Sequence, residues 1–126
     1  MRSTEHDRFP HERLDVYKAV LDFISAADDV IEQLPRGRGH LGDQLGRAAA
    51  SILLNLAEGA GEFAGQEKAR FYRISRRSVP ECAAVLDICR TRKLADDAKV
   101  AAARELLLRI YAMLTRMIVT CGERGS

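Results

Sequence analysis

The sequence predicts an all-α protein, an antiparallel up-down-up-down four-helix bundle. Three observations carry that expectation. In four segments the apolar residues recur every three or four positions. Turn signals such as "PRGRGH" and "GAGEFAG" separate those segments. Aromatic residues make up only 6% of the chain, a composition that favours helices over a sandwich or barrel. With 126 residues the chain is a single domain, residues 1–126, long enough to hold a core unaided. Residues 1–10 and 122–126 are expected to be loose tails.

The first helix is expected from about Leu14 to Leu34. Leu14, Tyr17, Leu21, Ile24 and Ile31 form its stripe, widened by Val20, Ala27 and Val30. The second runs from about Leu41 to Ala60 and closes on glycines that can take the left-handed conformation common at helix ends. The third begins near Gln66 and presents Phe71, Ile74, Ser78, Cys82, Val85 and Cys89 on one face. Pro80 lies inside it, removes one backbone donor, and predicts a kink between Arg76 and Pro80 rather than two helices. The fourth, from about Asp96, alternates by three and four through Val100, Ala103, Leu107, Ile110, Leu114, Met117 and Cys121, the spacing of a left-handed bundle seam.

Cys82, Cys89 and Cys121 are odd in number and form no Cys-x-x-Cys pair, so they read as reduced core thiols. No stretch is apolar enough to span a bilayer and the N-terminus lacks the apolar block of a secretory signal, which predicts a cytoplasmic protein.

The stretch "SILLNLAEGAGE" poses the main puzzle. Gln44, Ala48, Ser51, Asn55 and Glu58 fall along one line of the second helix, with Arg47 at its edge. Apolar side chains cover most of the remaining circumference, more than one bundle stripe requires. The surplus predicts a second copy of the chain as partner, with Ala50, Leu54 and Ala57 as candidate interface. The polar line has three readings: a structural network with Ser78, Glu81 or the arginines of the third helix, a ligand cleft, or a solvated face.

The stretches "ERLDVYKAVLDF", "LGDQLGRAAASILLNLAEGAGE" and "ARFYRISRRSVPECAAVLDICR" resemble the signature segments of the four-helix-bundle proteins named after intervening sequences in 23S ribosomal RNA genes. The matching positions are Gln44, Arg47, Ala49, Ser51, Ile52, Asn55, Ala57, Glu58 and Gly59, with Phe71, Ser78 and Glu81 in the third helix. The resemblance implies a homopentamer, like the related accessory variability protein of diversity-generating retroelements, which binds a reverse transcriptase and nucleic acid. It implies no enzyme. Two departures stand out: Arg77 replaces the Gly that members commonly carry before the Ser of the third helix, and Pro80 follows.

Other chemistry lacks its residues. A di-metal carboxylate site needs Glu-x-x-His repeats, and His6, His11 and His40 are scattered. Gly59 and Gly61 form no phosphate loop, and no nucleophile has a nearby base, so neither cofactor nor catalysis is expected. The remaining candidate is electrostatic. Although the net charge is only +2, residues 1–34 carry four basic against eight acidic side chains, and residues 62–93 carry eight against four. Arg70, Arg73 and Arg77 align on the third helix, with Lys68 and Arg76 nearby and Tyr72 between them. Such a row can grip phosphates, pair with acids of a neighbouring subunit such as Asp22, Asp29 or Glu32, or be plain surface. The expected function is therefore a non-enzymatic oligomeric module that binds nucleic acid or a ribonucleoprotein partner, with a protein scaffold as the alternative.

Overall fold

The computed structural model describes residues 8–124. A 3-10 turn, Pro10–Arg13, precedes four α-helices: α1 Asp15–Gln33, α2 Gly39–Gly61, α3 Gly65–Thr91 and α4 Asp97–Arg124. No strand occurs among the described residues. Of the two expected tails, residues 1–7 and 125–126 lie outside the described residues. Pro10 opens the 3-10 turn, and α4 continues through 122–124.

Residue pairs give the direction of each helix. Tyr72 at the start of α3 meets Gly59 at the end of α2, whereas Ser78 further along α3 meets Ser51 further back on α2. Likewise Arg76 reaches Thr115, while Asp87 near the end of α3 reaches Arg104 near the start of α4. The Gln33 side chain at the end of α1 accepts from the Asp96 N–H that precedes α4. Consecutive helices therefore run antiparallel. α1 packs against α2 and α4 and α3 does the same, so α1 and α3 stand on the bundle diagonal.

The core runs the length of these contacts. Val20, Phe23, Leu45, Ile52, Leu56, Leu86, Ile110 and Leu114 are fully buried. Two stripes lie in a different phase from the sequence expectation. On α1 the buried residues are Val16, Ala19, Val20, Phe23, Ala27 and Val30, whereas Leu21 is 40% exposed. On α3 the first half differs, with Ala69, Tyr72, Ser75 and Val79 buried and Phe71, Ile74 and Ser78 half-buried at the edge, whereas Cys82, Val85 and Cys89 are buried as expected. Both helices carry apolar residues on two adjacent stripes, and the stripe facing both packed neighbours becomes the centre. The α4 seam falls as its spacing predicts, with Val100, Ala103, Leu107, Ile110 and Leu114 buried.

Helix ends also differ from expectation. Gly59 and Gly61 are helical, and α2 stops at Glu62 in an extended conformation, so no left-handed glycine closes it. The left-handed positions among the described residues are Gly37, in the turn closed by Arg38 N–H to Pro35 O, and Lys93. Lys93 follows α3, where Leu94 N–H donates to Cys89 O at 2.8 Å and Lys93 N–H to Arg90 O at 3.0 Å. That is the bonding of a Schellman cap, with a lysine where glycine is usual. α3 runs unbroken through Pro80, which is exposed, so the carbonyl it deprives of a donor lies on the solvent side.

Candidate nucleic-acid interface

Five cations cluster in the first half of α3, and the fold gives them different tasks. Lys68 turns back to the end of α2, where its Nζ donates to Ala60 O at 2.9 Å and Gly59 O at 3.5 Å. A cation there complements the carbonyls that a helix C-terminus leaves unpaired. Arg76 is half-buried against α4: its Nη1 donates to Thr115 Oγ1 at 3.1 Å, and its guanidinium lies 5.4 Å from the Tyr111 ring centroid. Thr115 in turn donates to Tyr111 O at 2.8 Å. Lys68 and Arg76 are thus engaged within the bundle.

The other three face solvent. Arg70 donates to Glu67 Oε2 at 2.9 Å and lies 4.4 Å over the Phe71 ring, an exposed pairing of small worth. Arg73 and Arg77 are exposed and have no hydrogen-bond or ion-pair partner among the described residues. Glu81 is exposed one turn after Arg77 on the same helix but forms no ion pair with it, and the acids of α1, Asp22, Asp28, Asp29 and Glu32, are exposed across the diagonal. Tyr72 does not stand among the arginines. It is 2% exposed, and burial, with a smaller contribution from Cys121, pushes its hydroxyl up to about 12.

The polar line on α2 divides into three parts. Asn55 Nδ2 donates to Ser51 O at 3.0 Å and Ser51 Oγ at 3.1 Å, and Ser78 Oγ donates to Ser51 Oγ at 2.9 Å, joining α2 to α3. Gln44, Arg47 and Glu81 gather around a cleft of about 470 Å³ between the same helices, walled by Ala84, Val85 and Ile88. Glu58 is exposed, with no side-chain partner among the described residues. Ser75, which the sequence analysis passed over, is fully buried and donates from Oγ to Ile52 O at 2.7 Å. Its signal was its position three residues from Tyr72 and four from Val79, on the true buried stripe.

These positions predict unequal losses. Asn55→Ala is expected to cost about 1 kcal/mol by urea unfolding, since it removes a half-buried bonded amide. Glu58→Ala is expected to stay within about 0.5 kcal/mol of the unaltered protein, as exposed substitutions do. Equal losses would place Glu58 in the network after all.

Along α2, Ala50 is exposed, Leu54 is 64% exposed and Ala57 is half-buried, on the side away from the core. Cys82 and Cys89 are buried, Cys121 is half-buried, and all three are free thiols. Burial foremost, then the nearby Glu81 charge, pushes Cys82 up to about 12, and burial raises Cys89. Among the described residues, no three of His, Cys, Asp and Glu stand where they could share a metal ion, and no helix is long and apolar enough to cross a membrane.

The family model for the 23S rRNA-intervening sequence protein matches residues 12–116, from the 3-10 turn through most of α4. The chain belongs to that family. The match takes in the whole α2 polar line and all five α3 cations. In this member of the 23S rRNA-intervening sequence protein family, the Ala-Glu-Gly that ends the α2 motif serves packing at Gly59, where the Tyr72 ring lies against the backbone. Comparison with curated proteins finds no match.

Proposed function

We propose that this family member is a non-catalytic, self-associating module that binds nucleic acid through Arg70, Arg73 and Arg77. One observation carries the reading: Arg73 and Arg77 project from the outer face of α3 with no partner among the described residues, and Arg70 continues the row one turn earlier. Guanidinium groups so placed can grip successive phosphates. Each contact is weak and the chain carries only +2, but a ring of copies repeats the row once per subunit. The family's link to 23S ribosomal RNA genes makes RNA the first polyanion to try.

Self-association rests on a separate observation. Leu54 is 64% exposed between Ala50 and Ala57, an apolar strip that an identical chain can cover. The number of copies, five, is what the family resemblance implies. A reverse-transcriptase-like protein is the protein partner that would accompany a ribonucleoprotein role.

Changing Arg70, Arg73 and Arg77 together to Gln is expected to abolish salt-sensitive binding to RNA or DNA and leave the particle mass unchanged. The salt dependence of the unaltered protein should be steeper by about 0.7 per lost contact on a single strand. If the triple variant instead loses subunits, the arginines pair with a neighbour's acids and the module is a protein scaffold. If the unaltered protein shifts no nucleic acid at low salt, the binding reading is wrong.

A further inference from the structure

Beside the arginine row, between α3 and α4, lies a groove of about 230 Å³ that the phosphate contacts leave unused. Val79, Pro80 and Ala83 form one wall, and Leu107, Leu108 and Tyr111 the other. Leu108 is 58% exposed and Tyr111 42%, so the groove opens to solvent through an aliphatic side chain and an aromatic ring. Arg76 lies against the ring from one side, and Thr115 accepts from Arg76 while donating to the Tyr111 backbone carbonyl, which fixes Arg76 to α4. Arg104 also lines the groove; its Nε lies 3.2 Å from Asp87 Oδ1 without hydrogen-bond alignment, so charge alone holds it there.

Arg73, Arg77 and Pro80 are neighbours at helical spacing, which puts two unpartnered cations at the groove's edge. An apolar slot with a steadied aromatic ring beside free arginines matches one chemistry: a flat, apolar-faced base attached to a phosphate backbone. A duplex cannot present that base, because its faces are already stacked. The geometry points to an unpaired base of a single-stranded nucleic acid, seated in the α3–α4 groove against Tyr111 while Arg73 and Arg77 hold its flanking phosphates. This inference rests on the arginine-row reading above and names the form of nucleic acid it takes.

The test uses fluorescence anisotropy with four labelled probes: a single-stranded oligonucleotide as RNA and as DNA, the same sequence as a duplex, and an abasic strand of equal length. Tyr111→Leu is expected to weaken single-strand binding about 5- to 160-fold, the span of one base–aromatic stack, while Tyr111→Phe retains it. Binding to the abasic strand should be weaker at the outset and unchanged by Tyr111→Leu. Arg73→Gln with Arg77→Gln should weaken both. In the unaltered protein, a strand carrying a photoreactive pyrimidine should crosslink within α4 at Tyr111, a result independent of how any variant folds. Equal affinity for base-bearing and abasic strands, or a preference for the duplex, overturns the groove and leaves the arginine row standing. No binding to any probe overturns both.

Discussion

Gly59→Ala is expected to destabilise the bundle, while Gly61→Ala, two residues further along the same helix, is expected to stabilise it. A Cβ built at Gly59 would sit 2.6 Å from Tyr72 Cε1, 2.8 Å from Tyr72 Cδ1 and 3.1 Å from Lys68 O. None of these can retreat easily: the ring is buried, and Lys68 O belongs to the α3 backbone. Overpacking of this kind costs about 1 to 3 kcal/mol, which outweighs the gain of up to about 1 kcal/mol from replacing a helical glycine by alanine. Gly59→Val should reach the upper end of that range. At Gly61 nothing lies within 4 Å of the added Cβ and the residue is exposed, so only the favourable part remains. Thermal melts separate the two, since about 1 kcal/mol moves the midpoint by roughly 4 °C in a domain near this size. Equal shifts at both positions would mean that Tyr72 does not occupy the space beside Gly59. The two glycines of "SILLNLAEGAGE" thus differ in what they do: Gly59 admits a ring, and Gly61 is under no such steric demand.

Leu54→Glu is expected to collapse the assembly to single chains. The residue is 64% exposed at the middle of the α2 apolar strip, so within one chain a glutamate there is solvated and costs little. Between chains it would place a charge inside a desolvated contact, repeated at every subunit of a symmetric ring. Light scattering should give about 70 kDa for a pentamer of the 14.0 kDa chain and a single-chain mass for the variant, with helical content preserved. A single-chain mass for the unaltered protein at micromolar concentration would remove the interface altogether. An unchanged mass in Leu54→Glu would move it to another face.

Part of the α2–α3 polar arrangement was legible in the sequence. The α2 line singled out Ser51 and Asn55, with Ser78 of the third helix as a possible partner, and the fold joins the three by hydrogen bonds. The charge count pointed to the first half of α3, where Arg73 and Arg77 stand exposed. Glu58, by contrast, shares the line of Asn55 on the helical wheel yet is exposed, with no side-chain partner among the described residues. Tyr111 carried no motif. Its place beside Arg76 depends on α4 lying against α3, with thirty-odd residues of chain between them.

By itself the sequence determined the number of helices, their approximate ends and the α4 seam, because period and turn chemistry are local properties that each segment carries alone. Family membership is legible for the same reason, since the α2 motif is contiguous. Only the tertiary structure decided which stripe of α1 and α3 turns inward, why Gly59 is a glycine, and which cations stay free. Two apolar stripes on one helix are equivalent until neighbours occupy one of them, and Phe23 and Tyr72 settle the choice by filling space between helices. A long cationic side chain commits only when a carbonyl or hydroxyl comes within reach: Lys68 found the end of α2 and Arg76 found Thr115, whereas the exposed Arg73 and Arg77 found none among the described residues.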